Sequence, residues 1–157
     1  MNLSTSLNEA LNNQIVHEYK NQLIYAQFES YFEDLQLTKI AKYFRERSAE
    51  EKTHADKFIA HINARTGGKV SIVEVPAPDF EIMGVSGVGD LYVQTEEGTT
   101  ESIESIYELA VDEKSYIDLS FLLDMLSEQV SEEDEASEFA LKAKNVKDLV
   151  LWDASFS

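Results

Sequence analysis

Along most of this chain apolar residues return every three or four positions, in four long stretches that share one irregularity. In the first, Leu11, Ile15, Glu18, Gln22, Tyr25, Glu29 and Phe32 follow one another. Steps of three and four keep them on one face of an α-helix. The second reads Phe44, Arg47, Glu51, His54, Phe58, Ile62; the third reads Val93, Glu96, Thr100, Ile103, Ile106, Ala110. The fourth is Leu122, Met125, Gln129, Glu132, Ala136, Phe139, Ala143. Each stripe is apolar at both ends and carries a carboxylate near its middle.

The residues between the stripes predict helices over about 7–34, 39–66, 87–113 and 119–145, with a short one over 147–155. Ser6-Leu7-Asn8-Glu9 reads as a capping box, in which the serine and glutamate bond each other's backbone N–H groups. Thr38 and Asp118 are candidate caps for the second and fourth helices. Gly67-Gly68 suits a helix C-terminus. Lys69 to Val85 holds both prolines, Pro76 and Pro78, and is too long for a tight turn. Gly87, Gly89 and Gly98 weaken the third helix, each costing about 1 kcal/mol against alanine in a helix interior. The pattern is two helical hairpins joined by one long crossover. This predicts one all-α domain over 1–157, a four-helix bundle with a short fifth helix.

Composition narrows the function. There is no cysteine, hence no disulfide scaffold, thiolate ligand or cysteine nucleophile. No apolar run reaches the length of about 18 residues that a membrane span needs, and the first residues, Met1 to Ser6, carry no secretory pattern. A cytoplasmic location is expected. With 30 acidic against 13 basic residues the net charge is -17, which repels nucleic acid and attracts cations. Solubility alone is the simpler reading of that charge.

The mid-stripe carboxylates carry the chemistry. In a bundle of alternating direction Glu18, Glu51, Glu96 and Glu132 meet at one level. His54 lies one turn after Glu51 on the same face, and Gln129 one turn before Glu132. Burying several carboxylates uncompensated costs several kcal/mol per ion, against a net stability of about 5–15 kcal/mol. Something positive must enter the cluster, or most of the groups must hold protons. Carboxylate oxygens with one imidazole suit iron, and Glu51 is the natural bridge between two ions. A single glutamate on a helix is ordinarily solvated. Four in the apolar stripes of four helices are not so easily dismissed. A shift of register at the glycines would put Glu97 or Glu101 in the place of Glu96. His17 and His61 have no carboxylate at such spacing, and the run Glu133-Asp134-Glu135 reads as a solvated face.

The stretches Glu18 to Tyr25, Ala49-Glu50-Glu51-Lys52-Thr53-His54 and Ser127-Glu128-Gln129, with a match from about Leu7 to Phe156, resemble a non-haem ferritin of the bacterial or cyanobacterial kind. Ferritin-like carboxylate proteins carry two single glutamates and two Glu-x-x-His pairs; only one such pair is present here. The resemblance implies a ferroxidase that binds two iron ions per subunit and no haem. It takes Fe(II) with O2 or H2O2 and stores the mineral in a homo-oligomeric cage of twenty-four subunits. It implies Glu18, Glu51 and His54 as ligands of the first iron. For the second it implies Glu51 and Glu96, with Gln129 and Glu132 close by. Tyr25 falls on the family's tyrosine beside the site. A third iron site would draw on Glu50, Glu128 and Glu132, but a further glutamate of that site is Ser131 here. Leu149 to Asp153 resembles the short helix at the four-fold axes. The haem methionine of bacterioferritins falls on Lys52. Two rival readings are a helical di-iron protein that stores nothing and a metal-free helical scaffold.

Overall fold

The computed structural model describes all 157 residues, Met1–Ser157. The chain forms α1 (Thr5–Asp34), α2 (Thr38–Ala64), α3 (Gly84–Asp112), α4 (Tyr116–Asn145) and α5 (Leu149–Ala154), with no strand. α1 packs along α2 and α3 along α4, and α1 also meets α3. The two hairpins are joined by the crossover between Ala64 and Gly84. This is the expected bundle with its one long connection. No helix is long and apolar enough to cross a membrane.

The helix starts differ from expectation, each for a local reason. α1 begins at Thr5, because the Ser4 hydroxyl rather than Ser6 accepts the Leu7 N–H, at 3.1 Å. Ser6 instead donates to Glu113 at the far end of α3, as Ser4 does at 2.5 Å. Thr38 makes no cap bond. The free N–H groups of Lys39 and Ile40 are taken by Asp153 of α5, at 3.0 and 2.9 Å. The short C-terminal helix thus caps α2 from outside. Asp118 is no cap either. It is fully buried and accepts Arg65 Nε at 2.8 Å, His61 Nε2 at 2.7 Å and Ser115 Oγ at 2.5 Å. Those bonds outweigh burial and hold its carboxyl below the usual range. α3 opens at Gly84, whose φ of 76° only glycine adopts freely.

The core falls into two halves with a polar layer between them. One half is aromatic, built on Tyr25, Phe28, Phe32, Phe44, Tyr92, Phe139 and Trp152. The other is largely aliphatic, built on Leu7, Leu11, Ile15, Phe58, Ile62, Ile103 and Leu122. α3 and α4 approach so closely at Gly89 that a Cβ there would lie 2.8 Å from Ala140 Cα. The fourth stripe is buried throughout as expected. In α1 the stripe residues Leu11, Ile15, Glu18, Tyr25 and Phe32 are buried, but Asn21, Ile24 and Phe28 are buried beside them while Gln22 and Glu29 are only half-buried. In α3 Tyr92 and Thr99 are buried where Val93 and Thr100 are half-buried. A helix face is wider than one walk in steps of three and four, and packing selects the neighbour.

Candidate metal centre

The polar layer between the two core halves contains Glu18 from α1, Glu51 and His54 from α2, Glu96 from α3, and Gln129 and Glu132 from α4, all buried. Each sits mid-helix, flanked one or two turns away by apolar residues such as Ile15, Phe58, Ile103 and Ala136. Backbone packing on both sides therefore fixes the depth of every functional side chain. Glu96 is 1% exposed whereas Glu97 and Glu101 are exposed, which fixes the register of α3.

His54 is the hub. Its Nδ1 lies 3.7 Å from Glu51 Oε2 and 3.9 Å from Glu18 Oε2. Its Nε2 faces Glu128 Oε2 at 3.3 Å and Glu132 Oε1 at 4.0 Å. The oxygens Glu18 Oε2, Glu51 Oε2 and Glu128 Oε2 are buried and accept no hydrogen bond. Three orphaned carboxylate oxygens thus surround one imidazole, those of Glu18 and Glu51 on its Nδ1 side and that of Glu128 on its Nε2 side. Glu18, Glu51 and His54 offer ligand atoms within 4.8 Å of one another, and so do Glu50, His54 and Glu132.

Glu96 stands somewhat apart from these two groups. Its Oε1 accepts the Tyr25 hydroxyl, and its Oε2 accepts Gln129 Nε2 at 3.1 Å. Gln129 also donates to Thr100 Oγ1 at 3.2 Å. Glu50 is only half-buried and pairs with Arg47 at 3.0 Å. The outer oxygen of Glu128 pairs with Lys57 at 2.5 Å. All nine sequence candidates therefore lie in or against one layer, but only Glu18, Glu51, His54, Glu50 and Glu132 bring ligand atoms together in groups of three.

The electrostatics carry the mark of excess negative charge. Burial pushes the Glu18 carboxyl well above its ordinary range, and the neighbouring Glu51 pushes it further. Glu51 is raised likewise, by burial and then by Glu96. Glu96 is raised by burial, and Glu132 is pushed up to about 9 by burial and then by Glu96 and Glu50. Burial and mutual repulsion thus favour the protonated form of all four carboxyls, and a bound cation would oppose that.

Sequence reasoning missed several polar residues that serve this layer. Buried Gln14 donates to Glu18 Oε1 at 3.1 Å and accepts Ser102 Oγ at 2.5 Å. Buried Asn21 donates to Thr99 Oγ1 at 2.8 Å, and His17 shares that hydroxyl at 2.9 Å. Gln14 and Asn21 lie four before and three after Glu18, the spacings at which helical side chains meet. That was the available signal. His61, with no carboxylate three or four residues away on its own helix, finds Asp118 on α4 instead.

Comparison with known proteins agrees with this architecture. The family model for the ferritin-like domain matches residues 8–146. The bacterial non-heme ferritin of Staphylococcus haemolyticus strain JCSC1435 is 32% identical over 131 residues, covering 83% of this chain and 78% of that one. Its Staphylococcus aureus USA300 counterpart is 31% identical over the same shares. Among solved structures, an open-pore ferritin from the hyperthermophilic archaeon Archaeoglobus fulgidus superposes with a TM-score of 0.92. It is 28% identical, and the match covers 97% of this chain and 96% of that one. A closed form of that ferritin, engineered by site-directed mutagenesis, gives 0.90 at 28% identity, covering 97% and 94%. The chain belongs to the ferritin family, among its bacterial non-haem members.

Proposed function

We propose that this chain is the subunit of an iron-storage ferritin, which binds two Fe(II) ions inside the bundle, oxidises them with O2 or H2O2, and deposits the product within a cage. The observation that carries the reading is the set of orphaned carboxylate oxygens around His54. Hard oxygen donors with one imidazole suit iron, which is here the substrate rather than a resident cofactor.

The first ion is held by Glu18, Glu51 and His54 through Nδ1. Glu51 bridges to the second, which takes Glu96 and Glu132; Glu50 has a ligand atom within 4.8 Å of one of Glu132. Gln129 and Tyr25 hold Glu96 in place from either side. A ligating histidine ordinarily gives its other ring N–H to a carboxylate, which fixes the tautomer. Glu128 stands where that partner is needed, and Lys57 holds it there. Burial favours the protonated carboxyls and metal binding needs them ionised, so Fe(II) uptake should release protons. The second position lacks a histidine, so its ion is held more weakly and moves on more readily. That suits passage of iron into a store.

Cage assembly belongs to the same reading. Val150 and Leu151 on α5 are 74% and 70% exposed, an apolar pair at the end of the bundle that a neighbouring subunit would cover. A shell of twenty-four copies is expected from the family. Size exclusion at physiological salt tests it, and elution at the mass of one subunit would remove the storage function.

The decisive experiment for the chemistry is stopped-flow Fe(II) oxidation by Glu51→Ala. This glutamate alone serves both ions, so the rapid phase should vanish. Oxidation at the wild-type rate would refute the site.

A further inference from the structure

The carboxylates of the polar layer are of two kinds. Glu18, Glu51, Glu96 and Glu132 form no ion pair with arginine or lysine. Glu50 and Glu128, at the edge of the layer, have one each: Arg47 lies 3.0 Å from Glu50 and Lys57 lies 2.5 Å from Glu128. Both cations come from α2, one turn before Glu50 and one turn after His54. Lys57 takes only one oxygen of Glu128 and leaves the other facing His54. Glu50, by contrast, belongs to a group. It, Glu132 and His54 bring ligand atoms within 4.8 Å of one another, as Glu18, Glu51 and His54 do. Arg47 also joins that group to a solvent-open cavity of about 350 Å³, whose lining includes Glu46, Glu135 and Glu138. A cation entering there meets an acidic rim.

What it meets next is the guanidinium of Arg47. Nη2 lies 3.0 Å from Glu50 Oε2, and Nη1 donates to Glu135 Oε2 at 2.5 Å, so the fork spans α2 and α4. The side chain is 20% exposed, and its Cζ sits over the Tyr43 ring, 5.3 Å from the centre. A guanidinium does not lose its proton in a protein, so a metal ion cannot discharge it as it would a carboxylic acid. An ion held on Glu50 Oε2 at the usual distance of about 2.0–2.2 Å would lie within about 5 Å of Nη2, like charge against like charge.

We propose that Arg47 is a specificity-determining residue that takes the place of a further divalent cation at Glu50, and so holds the centre to two ions. This rests on the two-iron reading above. Arg47 brings to Glu50 and Glu135 the positive charge that an ion would otherwise bring. The four inner carboxylates have no such partner and are left for iron. Arg47 thereby sets how many ions the bundle accepts without itself touching either of them.

The test uses crystals of the assembled protein soaked in Zn(II), with anomalous diffraction at the zinc edge to place each ion. The wild type should hold ions at its two inner positions and none on Glu50. Arg47→Gln, which removes the charge and keeps a polar side chain, should gain one ion bounded by Glu50, Glu132 and His54. The double variant Arg47→Gln with Glu50→Gln should lose it again, and Arg47→Lys, which keeps the charge, should match the wild type. Zn(II) titration in solution should show the same gain and loss of one ion per chain. An ion on Glu50 in the wild type would overturn the proposal, and that arm needs no variant to fold. So would Arg47→Gln gaining nothing, or Arg47→Lys gaining the same ion. If the wild type fills its two inner positions and Arg47→Gln gains nothing, this proposal alone fails. If the inner positions stay empty while Arg47→Gln takes an ion on Glu50, the two-iron reading fails and the role of Arg47 stands.

Discussion

Replacing Glu132 by glutamine should stabilise the metal-free protein while weakening its metal site. The carboxyl of Glu132 is raised from an ordinary 4.5 to about 9 in the folded chain. A raised carboxyl contributes its full stability below the unfolded value, and that contribution is lost as pH rises toward the folded value. The window is therefore from about 4.5 to about 9. At pH 7 the gap above 4.5 corresponds to about 3 kcal/mol of lost stability. This is a ceiling, because part of the shift is repulsion from Glu96 and Glu50, which eases when either of them takes up a proton. Glutamine has nearly the same shape and no proton to hold, so Glu132→Gln should recover up to about 3 kcal/mol at pH 7. For a chain of this size that raises Tm by up to about 6–12 °C. The assay is thermal unfolding followed by circular dichroism with a chelator present, at several pH values from about 4.5 to about 9. The gain should be near zero at the acid end and grow with pH. With saturating Zn(II) the order should reverse, since the wild type then gains more from the metal. A gain that is the same at every pH would make it a packing effect, and no gain at neutral pH would refute the charge argument altogether.

Three further outcomes follow from the same geometry. A short anaerobic soak with limiting Fe(II) should fill the Glu18, Glu51 and His54 position first; higher occupancy beside Glu96 would contradict the ligand-count argument. Glu128→Ala removes the carboxylate that faces His54 Nε2 at 3.3 Å, and should lower Fe(II) or Zn(II) affinity about 10–100-fold by calorimetry. An unchanged affinity would mean that Glu128 does not orient the ring. Gly89→Ala forces a Cβ to within 2.8 Å of Ala140 Cα and should cost about 1–3 kcal/mol in chemical denaturation, with metal affinity retained.

The fold was legible because the helix period and the helix breakers agree along the whole chain. The one long connection follows from Gly67, Gly68, Pro76 and Pro78, residues that no amphipathic helix would carry together. The helix starts were less legible, because a cap can come from anywhere that folding brings near. Ser4 and Ser6 offer the same chemistry two residues apart and both donate to Glu113 across the bundle; only the Leu7 N–H, which Ser4 accepts, separates their roles. Asp153 lies more than a hundred residues from the α2 N-terminus it caps, and no local pattern announces it. Asp118 read as a cap because aspartate near a helix start usually is one, but Arg65 and His61 from α2 claim it.

The site was legible for a different reason: it breaks the pattern that made the fold legible. A carboxylate in the middle of an apolar stripe conflicts with burial, and four such conflicts at one depth share a single explanation. That logic finds groups that oppose burial and overlooks those that relieve it. Gln14, Asn21 and Thr99 are neutral, so each looks tolerable on either face of its helix, and periodicity gave no cause to single them out. Their role lies in partners across α1 and α3, where Asn21 meets Thr99 and Gln14 meets Ser102. A sequence thus betrays the charges of a site through the strain they impose. The neutral residues that position those charges become visible only when the helices are packed.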